Sequence, residues 1–162
     1  MEQPPYVSYV ETPIGWMELF ATSDALESVQ FVEERKRSIY TPILRDAQLQ
    51  LGEYFAGKRK AFNLPLRLHG TMFQQQVWQW LKDLPFAETV SYIQLAREMG
   101  DEKATRAVAA ANAKNTIALI VPCHRVIGSD GKPVGYAWQV WRKRWLLQHE
   151  QRYSGTGQLW LF

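Results

Sequence analysis

The stretch from residue 117 to residue 127 constrains this chain more than any other. Five consecutive apolar residues, 117–121, are long enough for a buried strand or a packed extended segment. Pro122 follows, and it restricts φ and removes a backbone donor immediately before Cys123. Cys123 is the only cysteine among the 162 residues, and a histidine and an arginine come directly after it. The chain must therefore fold so that a stiff, apolar segment ends in a thiol beside an imidazole.

The lone cysteine has two interpretations. A free cysteine is most often a small buried hydrophobe. The polar neighbour favours the other interpretation, in which His124 removes the proton from Cys123, because the thiolate is the nucleophilic form. An imidazole used in this way is oriented by an acid or a carbonyl, and composition does not select that group. The residues alone leave both interpretations open.

Length and composition indicate a folded protein of ordinary size. The chain can form one domain or two small ones, and a hydrophobic content of 46% with seven tryptophans is ample for a core. No apolar run approaches membrane-spanning length, and the first five residues lack the features of an export signal. A single cysteine excludes internal disulfides and fits a reducing compartment. We expect a cytoplasmic location and no membrane partner.

The positive charge is concentrated around the thiol. Residues 103–144 contain eight lysines and arginines but a single acid, Asp130, which gives +7 against −4 for the rest of the chain. Such a bias occurs on ordinary solvated surfaces. It also occurs on surfaces that bind polyanions, and its overlap with the thiol segment favours nucleic acid.

The first 66 residues are predicted to form a small β unit with one helix. β-formers separated by turn residues predict strands at residues 6–12, 16–21 and 26–32. Thr41 followed by proline predicts the start of a helix that ends near Gly57. Residues 57–66 are predicted to be an irregular connector between two domains.

The second half is predicted to be mainly helical. Thr71 and Gln74 form a capping-box pattern before an apolar stripe that ends at Pro85, and Ser91 and Gln94 repeat that pattern before a short helix. Glycine at residue 100 and aspartate at residue 101 then predict a turn and a further helix over about 102–113. Two helices separated by such a turn are a helix-turn-helix candidate. The second of them is rich in alanine, so it suits either close helix packing or close approach to a nucleic-acid groove.

A last helix is predicted over residues 140–150, and a loose tail follows it. The apolar end of that tail, residues 159–162, could dock on the body of the protein. The resulting fold class is α+β, with an N-terminal α/β unit and its connector over 1–66, a mainly helical half with the helix-turn-helix candidate and the thiol over 67–153, and a tail over 154–162.

Specific strings in the second half carry a family resemblance. The sequence PCHRVI at residues 122–127, followed by Gly135-Tyr136, resembles the active-site signature of the O6-alkylguanine-DNA alkyltransferases, in their bacterial single-protein form. Residues 145–150 resemble the closing helix of that family, and residues 70–78 resemble the entry to its DNA-binding half. The resemblance covers roughly residues 6–153 and is strongest from residue 70 onward.

The resemblance implies a direct-reversal DNA repair reaction. The protein would transfer an alkyl group from O6-alkylguanine in duplex DNA to its own cysteine, irreversibly and once per molecule. The implied catalytic residues are a relay and two supporting side chains, and the implied substrate-binding residues form the pocket. The catalytic residues are Cys123, His124, Glu150, Asn115, which ties the helix-turn-helix to the thiol segment, and Tyr92, which helps rotate the nucleotide and protonates the departing guanine. The pocket residues are Val126, whose carbonyl reads the guanine amino group, with Tyr136 and Ala137.

The resemblance also implies how DNA is held. Arg106 would enter the space that the flipped base leaves in the stack. The expected DNA contacts lie on the second helix of the helix-turn-helix and in the turn after the thiol, at Arg106, Lys103, Ala104, Thr105, Ala107, Ala111 and Ser129. We expect no cofactor, and one cysteine with three scattered histidines gives no metal site. The protein is expected to be a monomer, with side-by-side assembly on DNA as a possibility.

Several positions depart from the family pattern. The family tends to have glycine where this chain has Ala109, Ala113 and Gln139, which bears on the fit of the pocket and the groove.

Three other functions compete with alkyl transfer. A lesion-flagging relative would lack the reactive cysteine. A cysteine hydrolase would turn over esters with the same relay, and a transcriptional regulator would select a particular DNA sequence.

Overall fold

The structure, a computed structural model, describes residues 6–155, which divide into two compact units. The first unit runs to His69 and also takes in Thr116–Ala118, while the second contains Gly70–Asn115 and the chain from Leu119 onward. The division therefore lies a few residues after the predicted connector. The segment 159–162, for which docking was predicted, lies outside the described residues.

A three-stranded antiparallel sheet forms the base of the first unit. Its strands follow one another in the order β1 (Tyr6–Thr12), β2 (Gly15–Ala21) and β3 (Leu26–Val32). Alternate side chains of β2 face the core, where Met17, Leu19 and Ala21 are fully buried, as the two-residue period of a strand requires. The three predicted strands are confirmed, with β2 beginning one residue earlier than predicted.

The first helix, α1 (Pro42–Phe55), packs on this sheet. The Thr41 side chain accepts a hydrogen bond from the backbone of Leu44, and proline occupies the first turn, so the predicted start is confirmed. Leu44, Leu51 and Tyr54 are fully buried, and burial of a large apolar side chain contributes about 1.5–3 kcal/mol. The amphipathic pattern of the sequence is thus what fixes α1 on the sheet.

A later segment of the chain completes the first unit. The Val29 backbone bonds to the Thr116 carbonyl and to the Ala118 amide, each at 2.9 Å. The apolar run 117–121 therefore pairs with β3 only at its start, and Leu119, at a φ of 70°, turns the chain away. All five residues of the run are buried. The packed extended segment, rather than a regular strand, is the alternative that the structure supports.

The second unit is mainly helical. Its helices are α2 (Met72–Lys82), α3 (Tyr92–Glu98), α4 (Thr105–Ala113) and α5 (Val140–Arg152). Both predicted capping boxes are present, at Thr71 and at Ser91. A single 3₁₀ turn, Glu102–Ala104, precedes α4, so this helix begins later than predicted. α5 ends two residues later than predicted. No helix within residues 6–155 combines the length and apolar character needed to span a membrane.

A two-residue parallel pairing, which the sequence did not predict, joins distant parts of the second unit. β4 (Val90–Ser91) pairs with β5 (Val126–Ile127). β4 leads directly into α3, and β5 follows directly on the 3₁₀ turn Cys123–Arg125. The pairing therefore brings the start of α3 to the thiol segment. A strand of two residues is too short to produce a periodic signal in sequence.

Candidate active site

Cys123 lies at a cavity of about 500 Å³ in the second unit. The cavity is lined by α3, α4, the thiol and the segment before α5, through Tyr92, Ala109, Asn112, Ala113, Cys123, Val134, Gly135, Tyr136 and Ala137. The methyl groups of Ala109 and Ala113, where the chain departs from the family pattern, thus belong to the cavity wall. They make this cavity narrower than glycine at the same two positions would.

Two asparagine side chains at the end of α4 hold the thiol segment. Asn115 Nδ2 donates to the Val121 carbonyl at 2.9 Å and to Cys123 Sγ at 3.3 Å. Asn112 Nδ2 donates to the Cys123 carbonyl at 3.3 Å. The thiol is 1% exposed, and this burial raises the pKa of Cys123 to about 11, although Asn115 and Lys143 act in the opposite direction. Cys123 is therefore a thiol, not a thiolate, near neutral pH.

His124 and Glu150 form a fully buried pair. Their side chains are 0% exposed, and His124 Nε2 lies 2.6 Å from Glu150 Oε2. A carboxylate can only accept, so the imidazole proton is assigned to Nε2 and the lone pair to Nδ1. Burial lowers the pKa of His124, even though Glu150 acts to raise it. The imidazole is thus neutral, and its Nδ1 has no hydrogen-bond partner among residues 6–155.

Arg125 completes this buried network. Its Nε donates to Glu150 Oε1 at 2.8 Å and its Nη2 to Glu150 Oε2 at 3.1 Å, while Nη1 donates to the Leu84 carbonyl at 2.7 Å. The backbone amide of Ala87 donates to Glu150 Oε1 at 3.0 Å. Burial alone would raise the pKa of Glu150, but His124 and Arg125 outweigh it and hold that pKa well below its ordinary range. Glu150 therefore stays ionised and cannot take a proton from the imidazole.

A buried lysine contacts three residues that line the cavity. Lys143 is 0% exposed, and its Nζ contacts the Gly135 carbonyl at 2.9 Å, the Val134 carbonyl at 3.3 Å and the Tyr92 hydroxyl at 3.5 Å. The Tyr92 hydroxyl itself donates to Val134 O at 3.1 Å. Burial lowers the pKa of Lys143 to about 8 and raises the pKa of Tyr92. The ammonium is held by neutral oxygens and supplies positive charge near Cys123.

The remaining pocket residues of the sequence prediction also lie near the thiol. Val126 belongs to β5 and is fully buried. Tyr136 and Ala137 line the cavity, and burial raises the pKa of Tyr136 well above its ordinary value. The Tyr136 hydroxyl has no hydrogen-bond partner within residues 6–155. The structure therefore brings all of the predicted catalytic and pocket residues into the second unit around Cys123.

The residues predicted to contact DNA divide between the two faces of α4. Lys103, Arg106 and Ala107 are exposed, Ala104 and Thr105 are half-buried, and Ser129 is exposed in its turn. Ala111 is only 2% exposed, and its carbonyl accepts a hydrogen bond from the Trp78 indole at 2.9 Å. Ala111 thus lies on the inner face of the helix. The reason is the 3.6-residue period, which turns position 111 toward α2.

Sequence reasoning missed the roles of Asn112, Arg125 and Lys143. Arg125 and Lys143 were counted in the basic segment as part of a surface for a polyanion, and this is wrong because both are buried. The only sequence signal of Arg125 was its position directly after His124, and that of Lys143 was its position within the last helix. Within residues 6–155 no three His, Cys, Asp or Glu side chains form a group that could hold a metal ion.

The chain matches two family models that together cover most of it. Residues 6–68 match the ribonuclease-like domain of 6-O-methylguanine DNA methyltransferase, and residues 72–152 match the DNA binding domain of the same family. A methylated-DNA–protein-cysteine methyltransferase of Methanosarcina acetivorans is 42% identical over 153 residues, which is 90% of this chain and 97% of the relative.

Solved structures of similar proteins have the same fold. The O6-methylguanine methyltransferase of Mycobacterium tuberculosis superimposes with a TM-score of 0.82 at 39% identity, over 93% of this chain and 96% of that one. A structure of the Mycobacterium tuberculosis protein in complex with DNA has a TM-score of 0.81 at 42% identity, over 90% of this chain and 92% of the other.

Proposed function

This chain belongs to the 6-O-methylguanine DNA methyltransferase family, and we propose that it transfers the alkyl group of an O6-alkylguanine in duplex DNA to Sγ of its own Cys123. The observation that carries the proposal is the thiol at the wall of a cavity beside a buried His124–Glu150 pair. Residues 67–153 form the DNA-binding and alkyl-acceptor half in this proposal. The protein works as a monomer in the cytoplasm, where an unpaired cysteine stays reduced.

The substrate base has to leave the DNA stack. A thiol that is 1% exposed at a cavity cannot reach the alkyl carbon of a base stacked inside a duplex, so the alkylated guanine is flipped into the cavity. The carbonyl of Val126 and the wall formed by Tyr136 and Ala137 receive it. Arg106, exposed on α4, fills the space that the base leaves in the stack. Lys103 and Ser129 contact the DNA backbone. The small side chains of Ala104, Thr105 and Ala107 allow the helix to approach the DNA groove closely.

Proton transfer precedes the attack. The pKa of about 11 keeps the proton on Cys123, and the neutral His124 has its lone pair on Nδ1. Sγ makes no direct hydrogen bond to Nδ1, so a bridging water carries the proton between them. Glu150 remains ionised and stabilises the imidazolium as it forms. The positive charge of Lys143 stabilises the thiolate.

The transfer itself balances without a cofactor. The thiolate of Cys123 attacks the alkyl carbon, an S–C bond forms, and the C–O6 bond breaks with its electrons going to the guanine. The Tyr92 hydroxyl, at the cavity wall, protonates the departing base. The product is a thioether, which is a poor leaving group. Each protein molecule therefore reacts once.

Intact-protein mass spectrometry tests this function. After incubation with a duplex that contains O6-methylguanine, the mass of each chain should rise by one methyl group and no further, because Cys123 is the sole cysteine. Cys123→Ser should bind the duplex and acquire no methyl group, with transfer reduced by at least about 10³-fold. Several turnovers per molecule, or methylation of another residue, would contradict the proposal. Turnover of an ester by the wild type but not by Cys123→Ser would support a cysteine hydrolase instead.

A further inference from the structure

Gln139, immediately before α5, has a backbone conformation that residues other than glycine rarely adopt. Its φ is 77° and its ψ is 137°, at the N-cap position of the helix. A residue with a Cβ in this region costs of order 1–3 kcal/mol and persists where the surroundings determine it. Its side chain makes no capping hydrogen bond to α5. Helix capping therefore does not account for a glutamine at this position.

The Gln139 side chain instead holds two residues of the first turn of α5. Its Oε1 accepts a hydrogen bond from the Trp141 indole at 2.7 Å and lies 3.4 Å from Arg142 Nη1. The Arg142 guanidinium lies 4.6 Å from the centre of the Trp141 ring, and its Nη1 also donates to the Trp138 carbonyl at 3.2 Å. One amide oxygen thus contacts both the indole and the guanidinium that lies over it. We name Gln139, Trp141 and Arg142 the α5 platform.

The α5 platform lies at the surface in cationic surroundings, with Gln139 and Trp141 exposed and Arg142 half-buried. Trp141 is 49% exposed, so about half of its surface is open to solvent. The chain contains no Asp or Glu between residues 131 and 149, while Lys132 and Arg144 in that span are exposed. A half-exposed aromatic ring under a guanidinium, with no acid nearby in sequence, is complementary to a polyanion rather than to a basic partner.

The platform adjoins the cavity that holds Cys123. Trp138, whose carbonyl anchors Arg142, packs edge to face on Tyr136 with ring centres 5.3 Å apart. Tyr136 and Ala137 line the cavity itself. A nucleotide in the cavity therefore brings its neighbouring phosphates to this part of the surface.

We propose that the α5 platform is a preformed contact for the DNA backbone beside the cavity, in which Arg142 binds phosphate and Gln139 and Trp141 act as positioning residues. The proposal rests on the proposed function, which makes duplex DNA the substrate. A guanidinium presents a planar fork that matches phosphate oxygens. Holding it over an indole before binding reduces the conformational entropy lost on binding.

Salt-dependent DNA binding of three variants tests the platform. Arg142→Gln should weaken binding to an undamaged duplex about three- to ten-fold and reduce the slope of log affinity against log salt by about one unit. Arg152→Gln removes the same charge at the other end of α5 and should leave the slope nearly unchanged. Gln139→Gly relieves the strained backbone but releases Trp141 and Arg142. It should raise the midpoint of thermal unfolding while lowering DNA affinity two- to five-fold.

Two outcomes would overturn the platform. If Arg142→Gln bound DNA with the wild-type affinity and slope, Arg142 would not contact phosphate, and an acidic protein segment would be the remaining class of partner. If Gln139→Gly lost stability and DNA affinity together, Gln139 would be merely structural. Alkylation of the wild type by a duplex that contains O6-methylguanine, followed by mass, separates the proposed function from the platform. Its absence would contradict the proposed function, whereas normal alkylation with unchanged DNA binding in Arg142→Gln would contradict the platform alone.

Discussion

The two faces of α4 have opposite characters. On the inner side, Asn112 and the nearby Asn115 donate hydrogen bonds to the thiol segment, and both are more than nine-tenths buried. On the outer side, Arg106 of α4 and Lys103 in the 3₁₀ turn before it are exposed, and within residues 6–155 neither side chain forms an ion pair. The inner face contacts the thiol segment that also carries His124 and Arg125, the partners of Glu150. The outer face is open to solvent.

This contrast separates two kinds of contribution. Groups in a buried network are tied to one another, so removing one leaves others without a partner in a medium of low dielectric constant. Substitutions there should change stability and chemistry whether or not DNA is present. Groups on the outer face lose little when altered in the free protein, and their effects should depend on DNA and on salt.

Glu150→Gln should have the largest effect, and it tests the buried side of the comparison. A neutral amide leaves Arg125 as an unpaired buried charge and holds the imidazolium poorly. Alkyl transfer should fall about 100-fold or more, and the free energy of unfolding should fall by about 3–5 kcal/mol. Affinity for undamaged duplex should stay within about two-fold. Single-turnover transfer, urea unfolding and DNA titration measure the three quantities. A wild-type transfer rate would remove Glu150 from the mechanism.

A double variant provides the matched control for Glu150→Gln. Adding Arg125→Met removes the unpaired charge, so much of the lost stability should return. Transfer should stay low, since His124 still lacks its carboxylate. Recovery of both stability and transfer would mean that the single variant was only misfolded.

Arg106→Ala tests the outer side of the comparison. It should slow repair of a paired lesion in duplex DNA about ten- to a hundred-fold, because a guanidinium that fills the stack offsets a flipping cost of a few kcal/mol. Reaction with free O6-benzylguanine needs no flipping and should stay within about two-fold. Lys103→Ala is the control, and it should lower affinity for any DNA and reduce the salt slope by about one unit. Equal losses of Arg106→Ala on both substrates would show that it only supports the helix.

The sequence predicted the parts of this comparison that depend on local signals. The structure confirms the two helices that were predicted to follow the capping boxes at Thr71 and Ser91. Exposure of Arg106 follows from its place on an amphipathic helix. These features are encoded within a few residues of one another, so pattern and spacing are sufficient to find them.

The sequence did not predict the long-range part of the network. Glu150 is 26 residues from His124, and only the family resemblance selected it. Arginine and lysine are residue types that usually lie on the surface. The burial of Arg125 and Lys143 depends on partners such as the Leu84 and Gly135 carbonyls. Backbone carbonyls carry no sequence signature. A charged residue that they hold therefore cannot be distinguished in sequence from a solvated one.

Lys143→Met sharpens the comparison through pH. Burial lowers the pKa of Lys143 from 10.5 to about 8, so between these values the unfolded chain binds a proton that the folded protein has lost. Stability of the wild type should therefore rise with pH in this range, by about 2 kcal/mol between pH 8 and 10 relative to the variant. Lys103→Met, on the outer face, should show no such difference. Urea unfolding at several pH values measures it, and parallel curves for wild type and Lys143→Met would contradict the burial of a charged lysine.

Ala87→Gly should have the smallest effect and isolates the backbone of the buried network. Ala87 donates its amide to Glu150 from a φ of 65°, in the left-handed region that disfavours a Cβ. Glycine keeps the amide and removes that strain, although it adds freedom to the unfolded chain. The net result should be a gain of about 0.5–1 kcal/mol in unfolding free energy, with transfer unchanged within about two-fold.

Ala110→Gly provides the control for Ala87→Gly from the exposed face of α4. Position 110 has helical geometry, so glycine there should cost about 1 kcal/mol. The same substitution should thus have opposite signs on the two sides of the site, because one alanine adopts a left-handed conformation to reach Glu150 and the other adopts its preferred one. Chemical denaturation of both variants measures the difference. A loss of stability in Ala87→Gly comparable to that in Ala110→Gly would mean that the Ala87 backbone is unstrained and that its hydrogen bond to Glu150 forms without conformational cost.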